Sequence, residues 1–254
     1  ETCNTYSSGG YIKDATFDHT DTDSDGVCDF CKLSTDTEIL DAGKGGEGRF
    51  WCITTDGLFI IGGEGEVKGF ASSANIHLKK GRIKELLFLD GITSIGAEAF
   101  DYVNTVEKIT LSDTVTEIKS KAFYSCFNVK EIILGKGLET IGAQAFADSN
   151  YLQKVVMHEG VTEIGGAAFA GCRQLVEVTL PTTLETIGYR AFENCERLND
   201  VIFYDSLKSI GRAAFYNCTR LTKIVIPESV EFIGGYAFIR CNRLHYIWCE
   251  ASQK

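Results

Sequence analysis

Apolar residues recur along this chain every 23 residues. The clearest marker is IGAEAF, residues 95 to 100, which returns as IKSKAF at 118, IGAQAF at 141, IGGAAF at 164, IGYRAF at 187, IGRAAF at 210 and IGGYAF at 233. Counted from the Phe of each copy, an apolar residue stands six positions on, from Val106 to Leu244. Others stand nine positions on, from Ile109 to Ile247, and eleven on, from Leu111 to Cys249. The last two columns alternate with period two, which predicts a strand with one buried face. The hexapeptide sets Ile and Phe five apart with Ala between them, which predicts a short helical turn facing the same interior.

One such unit cannot bury its own apolar residues, so neighbouring units must stack and share a continuous core. The expected fold is an α/β solenoid, a right-handed coil of parallel β-strands and short helical segments. With strands about 4.8 Å apart, seven coils and a partial one at Ile83 to Ile92 make a rod roughly 35 to 40 Å long. Lys119 stands where the other six hexapeptides carry Gly. A Lys tolerates positive φ poorly, so close backbone approach is the expected role of those glycines. Pro181 and Pro227 follow their strands, where a missing N–H ends a ladder at little cost.

Charge divides the chain. The net charge is −10, and residues 1 to 65 hold 13 acids against 4 bases, whereas the rest is nearly balanced at 22 against 21. The net negative charge argues against a nucleic-acid partner, whose affinity comes mostly from neutralised phosphates. No apolar run approaches the roughly 18 to 20 residues of a spanning helix. A chain opening on Glu1 rather than Met is expected to be a mature or trimmed form from which any export signal is missing. With five residues after Cys249, it is also expected to be a fragment of a longer protein.

Ten cysteines are present. Cys126, Cys172, Cys195, Cys218 and Cys241 each follow the repeat Phe by three, and small thiols bury readily, so they are expected to be reduced packing residues. Cys3, Cys28, Cys31, Cys52 and Cys249 lie outside the pattern and are the candidates for disulfides.

The unit Ile-Gly-x-x-Ala-Phe-x-x-Cys-x-x-Leu-x-x-Ile-x-Leu resembles the BspA-like leucine-rich repeat family of bacterial and some protozoal surface proteins, over about residues 81 to 250. Upstream, WCITTDGLFIIGGEG (51 to 65) resembles the hairpin that this family places before its first repeat. Val103 and Ser149 replace the Cys in two units. The resemblance implies a secreted or surface-displayed bacterial binding protein, of a family with members described as adhesins for host matrix proteins or other microbes. The expected organisation is an acidic segment at 1–45, a hairpin cap at 46–80 and the solenoid at 81–254.

Residues eight and ten after each Phe alternate with the buried ones and should face outward. The row at ten is Thr110, Ile133, Val156, Thr179, Ile202, Val225 and Trp248. With Tyr246 beside Trp248, Ile133, Val156, Thr179, Ile202, Val225 and Trp248 form a candidate stripe for a protein ligand. Strand propensity alone gives the same residues. A glycan-binding module, with Tyr204, Tyr246 and Trp248 stacking on sugar rings, is the alternative, as is a non-catalytic part of a larger secreted enzyme.

A second candidate is DTDSDGVCDFC, Asp21 to Cys31. Asp at alternate places with Gly at the sixth supplies oxygens and a sharp turn for calcium, with Asp21, Asp23, Asp25, the Val27 carbonyl and Asp29 as ligands. This resembles the aspartate-rich loops of dockerins and thrombospondin type 3 repeats, except that Lys32 occupies the closing position. Cys28 and Cys31 with His19 and Cys3 offer a zinc site instead, and an acidic linker needs no metal. Catalysis is not expected: His19, His77, His158 and His245 lie in no nucleophile motif, and GKGGEG at 43 to 48 lacks phosphate-loop spacing.

Overall fold

The computed structural model describes residues 38–44, 48–68 and 81–249. It opens on an antiparallel meander, β1 (Ile39–Lys44), β2 (Arg49–Thr54) and β3 (Leu58–Gly63). The hairpin read from the sequence is therefore joined by a further strand, β1, from the stretch assigned to the acidic segment. β3 is also the first rung of the solenoid, because its other edge pairs in parallel with β5 (Glu85–Phe88).

From there the chain alternates between two parallel walls. β5, β7 (Lys108–Thr110), β9 (Glu131–Ile133), β11 (Lys154–Val156) and β13 (Glu177–Thr179) continue the first. The second holds β4 (Gly65–Val67), β6 (Ile92–Ile95), β8 (Glu117–Ile118), β10 (Thr140–Ile141), β12 (Glu163–Ile164), β14 (Thr186–Ile187), β15 (Ser209–Ile210) and β17 (Phe232–Ile233). The repeat length sets the register, as Val155 faces Val178 and Ile141 faces Ile164. β16 (Lys223–Ile226) and β18 (Tyr246–Cys249) pair separately, and residues 200–204 between β13 and β16 carry no strand. There Phe203 fills the place that Leu180 and Ile226 fill on either side, its ring tilted 5.7 Å from Phe215.

The core is a file of phenylalanines. Phe100, Phe123, Phe146, Phe169, Phe192, Phe215 and Phe238 stack with centroids 5.2–5.6 Å apart and planes within 14°. That spacing explains why the expected short helical segments are absent. No helix forms among the described residues; each hexapeptide, with the residues that follow its Phe, is an arc of successive turns with two left-handed residues, one before the Phe and one two positions after it. In the third arc these are Gln144 (φ 58°) and Asp148 (φ 61°). The amides of Gln144, Phe146 and Asp148 donate to Gly166, Ala168 and Ala170 in the next coil at 2.7–2.8 Å. The amides between them, Ala145, Ala147 and Ser149, donate three residues back at 3.2 Å. A helix about 10 Å wide would consume all of these donors internally and would not fit one per coil at this spacing. The arc instead satisfies its backbone half locally and half across the stack.

The glycine column behaves as expected. A Cβ on Gly96, Gly142, Gly165, Gly188, Gly211 or Gly234 would lie 2.3–2.7 Å from the backbone of the preceding coil. None of these six has positive φ. Lys119, the exception, uses the bare surface of Gly96. Its ammonium donates to Glu66 Oε1 at 2.7 Å, an oxygen that lies 3.3 Å from where a Gly96 Cβ would sit. This bond holds the Glu66 carboxyl below its ordinary range and raises Lys119, tying the second coil to the cap.

The last coil has no neighbour on its far side among the described residues. Phe232 and Ile233 are 59% and 43% exposed there, whereas Ile210, one coil earlier, is fully buried.

Candidate binding face

The first wall positions the predicted stripe. Along each strand the residue nine after the Phe points inward and is buried from Ile109 through Ile224. Its two neighbours therefore point outward, because successive side chains take opposite faces. Ile133, Val156, Thr179 and Ile202 are exposed, with Ile202 reaching 65%, while Thr110 and Val225 are half-buried. Beside this apolar row runs a row of alternating charge. Lys108 faces Glu131, Lys154 also faces Glu131, and Lys154 bonds Glu177 at 2.7 Å. A parallel pair, Lys130 with Glu107 at 2.7 Å, lies one position earlier. Such exposed pairs contribute little stability.

Tyr246 and Trp248 complete the face on β18 at 73% and 69% exposure. Part of that exposure belongs to the open end, since Ile247, an inward position elsewhere, is 53% exposed. The three aromatics named for sugar stacking do not form one cluster. Tyr246 and Trp248 share a strand, but Tyr204 is half-buried two coils away.

The cysteine column is packing, as expected. Each thiol from Cys126 to Cys241 donates to the carbonyl of the Phe one coil earlier, at 3.1–3.3 Å. Burial pushes Cys126 up to about 12 and Cys241 to about 11, and raises Cys172, Cys195 and Cys218 strongly as well. Ser149 takes the same place with its hydroxyl buried and without a partner. Cys52 is buried against Ile39, Ala42 and Ile60, and Cys249 is an exposed thiol.

The calcium candidates Asp21, Asp23, Asp25, Val27 and Asp29 and the zinc set Cys3, His19, Cys28 and Cys31 lie outside the described residues, as does His77. Among the described residues no three His, Cys, Asp or Glu side chains gather as a metal site. No helix of these residues is long and apolar enough to cross a membrane.

A feature not read from the sequence lies on the arc edge, away from the sheet. Coils three and four carry only small side chains at two aligned places, Ala143 and Gly166, and Ala147 and Ala170. The result is a trough of about 480 Å³, walled by Tyr124 on one side and by Tyr189, Arg190 and Glu193 on the other. The signal was in the sequence, as a gap in the bulk of those two columns.

Comparisons with known proteins agree with this geometry. The model of the BspA type leucine rich repeat region matches residues 73–181 and 162–254, in six copies. A leucine-rich repeat protein of T. pallidum is similar in structure, with 25% identity, 78% of this chain and 89% of that one covered, and a TM-score of 0.58. A leucine-rich repeat protein from Bacteroides ovatus has the same fold at 21% identity, with 84% and 70% covered and a TM-score of 0.53. No curated protein matches the sequence. Matched by the model of that region over most of its length, the chain belongs to the BspA-type leucine-rich repeat family.

Proposed function

We propose that this chain is a non-catalytic binding protein, secreted or displayed on a bacterial surface, that grips an extracellular protein such as host matrix across its first wall. The observation that carries this reading is the exposed apolar row Ile133, Val156, Thr179 and Ile202 beside an alternating ion row on a stiff scaffold. Apolar side chains on rigid strands bind at little ordering cost, and the flanking charges select the partner. Membership in a repeat family whose stacked units create extended surfaces supports it. The Asp21 to Asp29 loop is proposed as a separate calcium site on its oxygen spacing alone.

The test is capture of immobilised extracellular matrix proteins by the intact chain and by the triple variant Ile133→Ser, Val156→Ser, Ile202→Ser. Loss of capture with an unchanged melting curve supports the wall as the site. Undiminished capture by the variant removes it.

A further inference from the structure

The trough on the arc edge has the chemistry of a carbohydrate site, and it is separate from the wall proposed above. Its floor is Ala143, Ala147, Gly166 and Ala170, the small residues of two adjacent coils. With coils 5.3–5.4 Å apart here, Tyr124 and Tyr189 stand three coils from one another, with only small side chains on the floor between them. Tyr189 is 46% exposed, and Arg190 covers one face of its ring at 4.8 Å, which fixes the ring in place. Tyr124 is held edge-on by Tyr102 at 5.5 Å. Two immobilised aromatic walls around a shallow floor suit flat, weakly apolar ring faces.

The polar groups point to the same ligand. Gln144, Asp148 and Arg173 line the trough and make no side-chain hydrogen bond or ion pair among the described residues. Asn194 spends its carbonyl on Asn217 and keeps its amide N–H groups open. Gly171 has φ +76°, and a Cβ there would lie 2.3 Å from Asp148 Oδ1, so the missing side chain makes room for that carboxylate. Donors and acceptors are thus mixed on planar groups. Charge is balanced as well, Asp148 and Glu193 against Arg173 and Arg190. An anionic or cationic ligand would meet repulsion from one pair, whereas a neutral polyhydroxylated ring can bond to both.

We infer that the Tyr124–Tyr189 trough binds a neutral saccharide of one or two rings, with Tyr189 stacking on a ring face and Gln144, Asp148, Arg173 and Asn194 bonding its hydroxyls. Its volume of about 480 Å³ lies within the range of small-ligand sites.

Saturation-transfer NMR on the intact chain with cellobiose, lactose, N-acetyllactosamine and mannobiose tests this, with isotope-labelled protein mapping amide shifts. At least one sugar should receive saturation and move the amides of Gly166, Ala167 and Gly171. Ala170→Tyr and Tyr189→Ala should each weaken it by about tenfold or more. Both substitutions suit the fold, because Tyr124 and Tyr216 occupy the Ala170 column and Ala97 and Ala143 the Tyr189 column. Ile133→Ser with Ile202→Ser should leave sugar binding unchanged, which separates this site from the wall. No transfer to any of the four sugars overturns the proposal, as does binding that survives Ala170→Tyr or shifts that map to the wall. Trough-dependent transfer to a tryptic peptide pool, with none to sugars, would assign the trough to peptides instead.

Discussion

The rings of Phe169 and Phe192 lie 5.4 Å apart and within 5° of parallel, although 23 residues separate them in the chain. Each is fully buried, and each also stacks on the next ring outward, Phe146 and Phe215. The contact that holds one coil to the next is therefore the same contact repeated. Phe169→Ala should cost about 3–5 kcal/mol and, by cutting the file at its middle, split unfolding into two transitions. Phe238→Ala should cost clearly less, because that ring is half-buried and stacks only on Phe215. Urea denaturation followed by tyrosine and tryptophan fluorescence measures both, and equal losses would contradict the stacking account.

The glycine column makes a sharper claim. A Cβ at Gly188 would meet the Gly165 carbonyl carbon and the Gly166 nitrogen at 2.6 Å, and both are backbone atoms that cannot move without shifting the coil. Gly188→Ala should therefore destabilise by about 3 kcal/mol or more. Gly235, also followed by an arc residue, has nothing within 4 Å of its Cβ position, and Gly235→Ala should stay within about 0.5 kcal/mol of wild type. Thermal melts of the pair decide the matter.

Ser149 is a place where the sequence can be improved. Its hydroxyl is buried without a partner, whereas the Cys residues of the column bond a Phe carbonyl one coil earlier. The longer C–S bond of Ser149→Cys should reach the equivalent acceptor on Phe123 and end the unsatisfied burial, raising stability by about 1 kcal/mol. A melting temperature at or below that of wild type would count against this reading.

Thiol chemistry should sort the cysteines by depth. Iodoacetamide at pH 8 should label Cys249 in the native protein and leave Cys126, Cys172, Cys195 and Cys218 untouched, since the reactive species is the thiolate and burial raises all four. Unfolding in guanidinium should expose them together. Peptide mapping by mass spectrometry reads the pattern, and native labelling of Cys195 would show that the column opens.

Much of this was legible in the sequence. The 23-residue spacing of Ile, Phe and Cys fixed which residues face inward, and Lys119 alone was enough to argue that its column needs thinness rather than positive φ. Residues such as Ile133 and Ile202 were placed outward by period two. The arc reads as helical in sequence because Ile95 and Phe100, five apart with Ala99 between, fit one helical turn as well as an arc of successive turns. Only the coil-to-coil distance separates those conformations, and one copy of a repeat does not state it. The second wall escaped for a similar reason: two-residue strands such as Thr140–Ile141 show no alternation. The trough needed columns to be read for absent bulk, when attention goes to bulk that is present.

The alternate amides of the arcs have a direction. Donors at Gln144, Phe146 and Asp148 all point toward the following coil, and the carbonyls of Ala143, Ala145 and Ala147 accept from the preceding one. In the final arc the amides of Tyr236, Phe238 and Arg240 have no backbone acceptor among the described residues. This edge thus carries a one-sided polarity, like the head of a polymer that grows by accepting only a tail. Two such edges brought together about a twofold axis would set N–H against N–H, so along this arc like ends repel and only head-to-tail continuation is chemically matched.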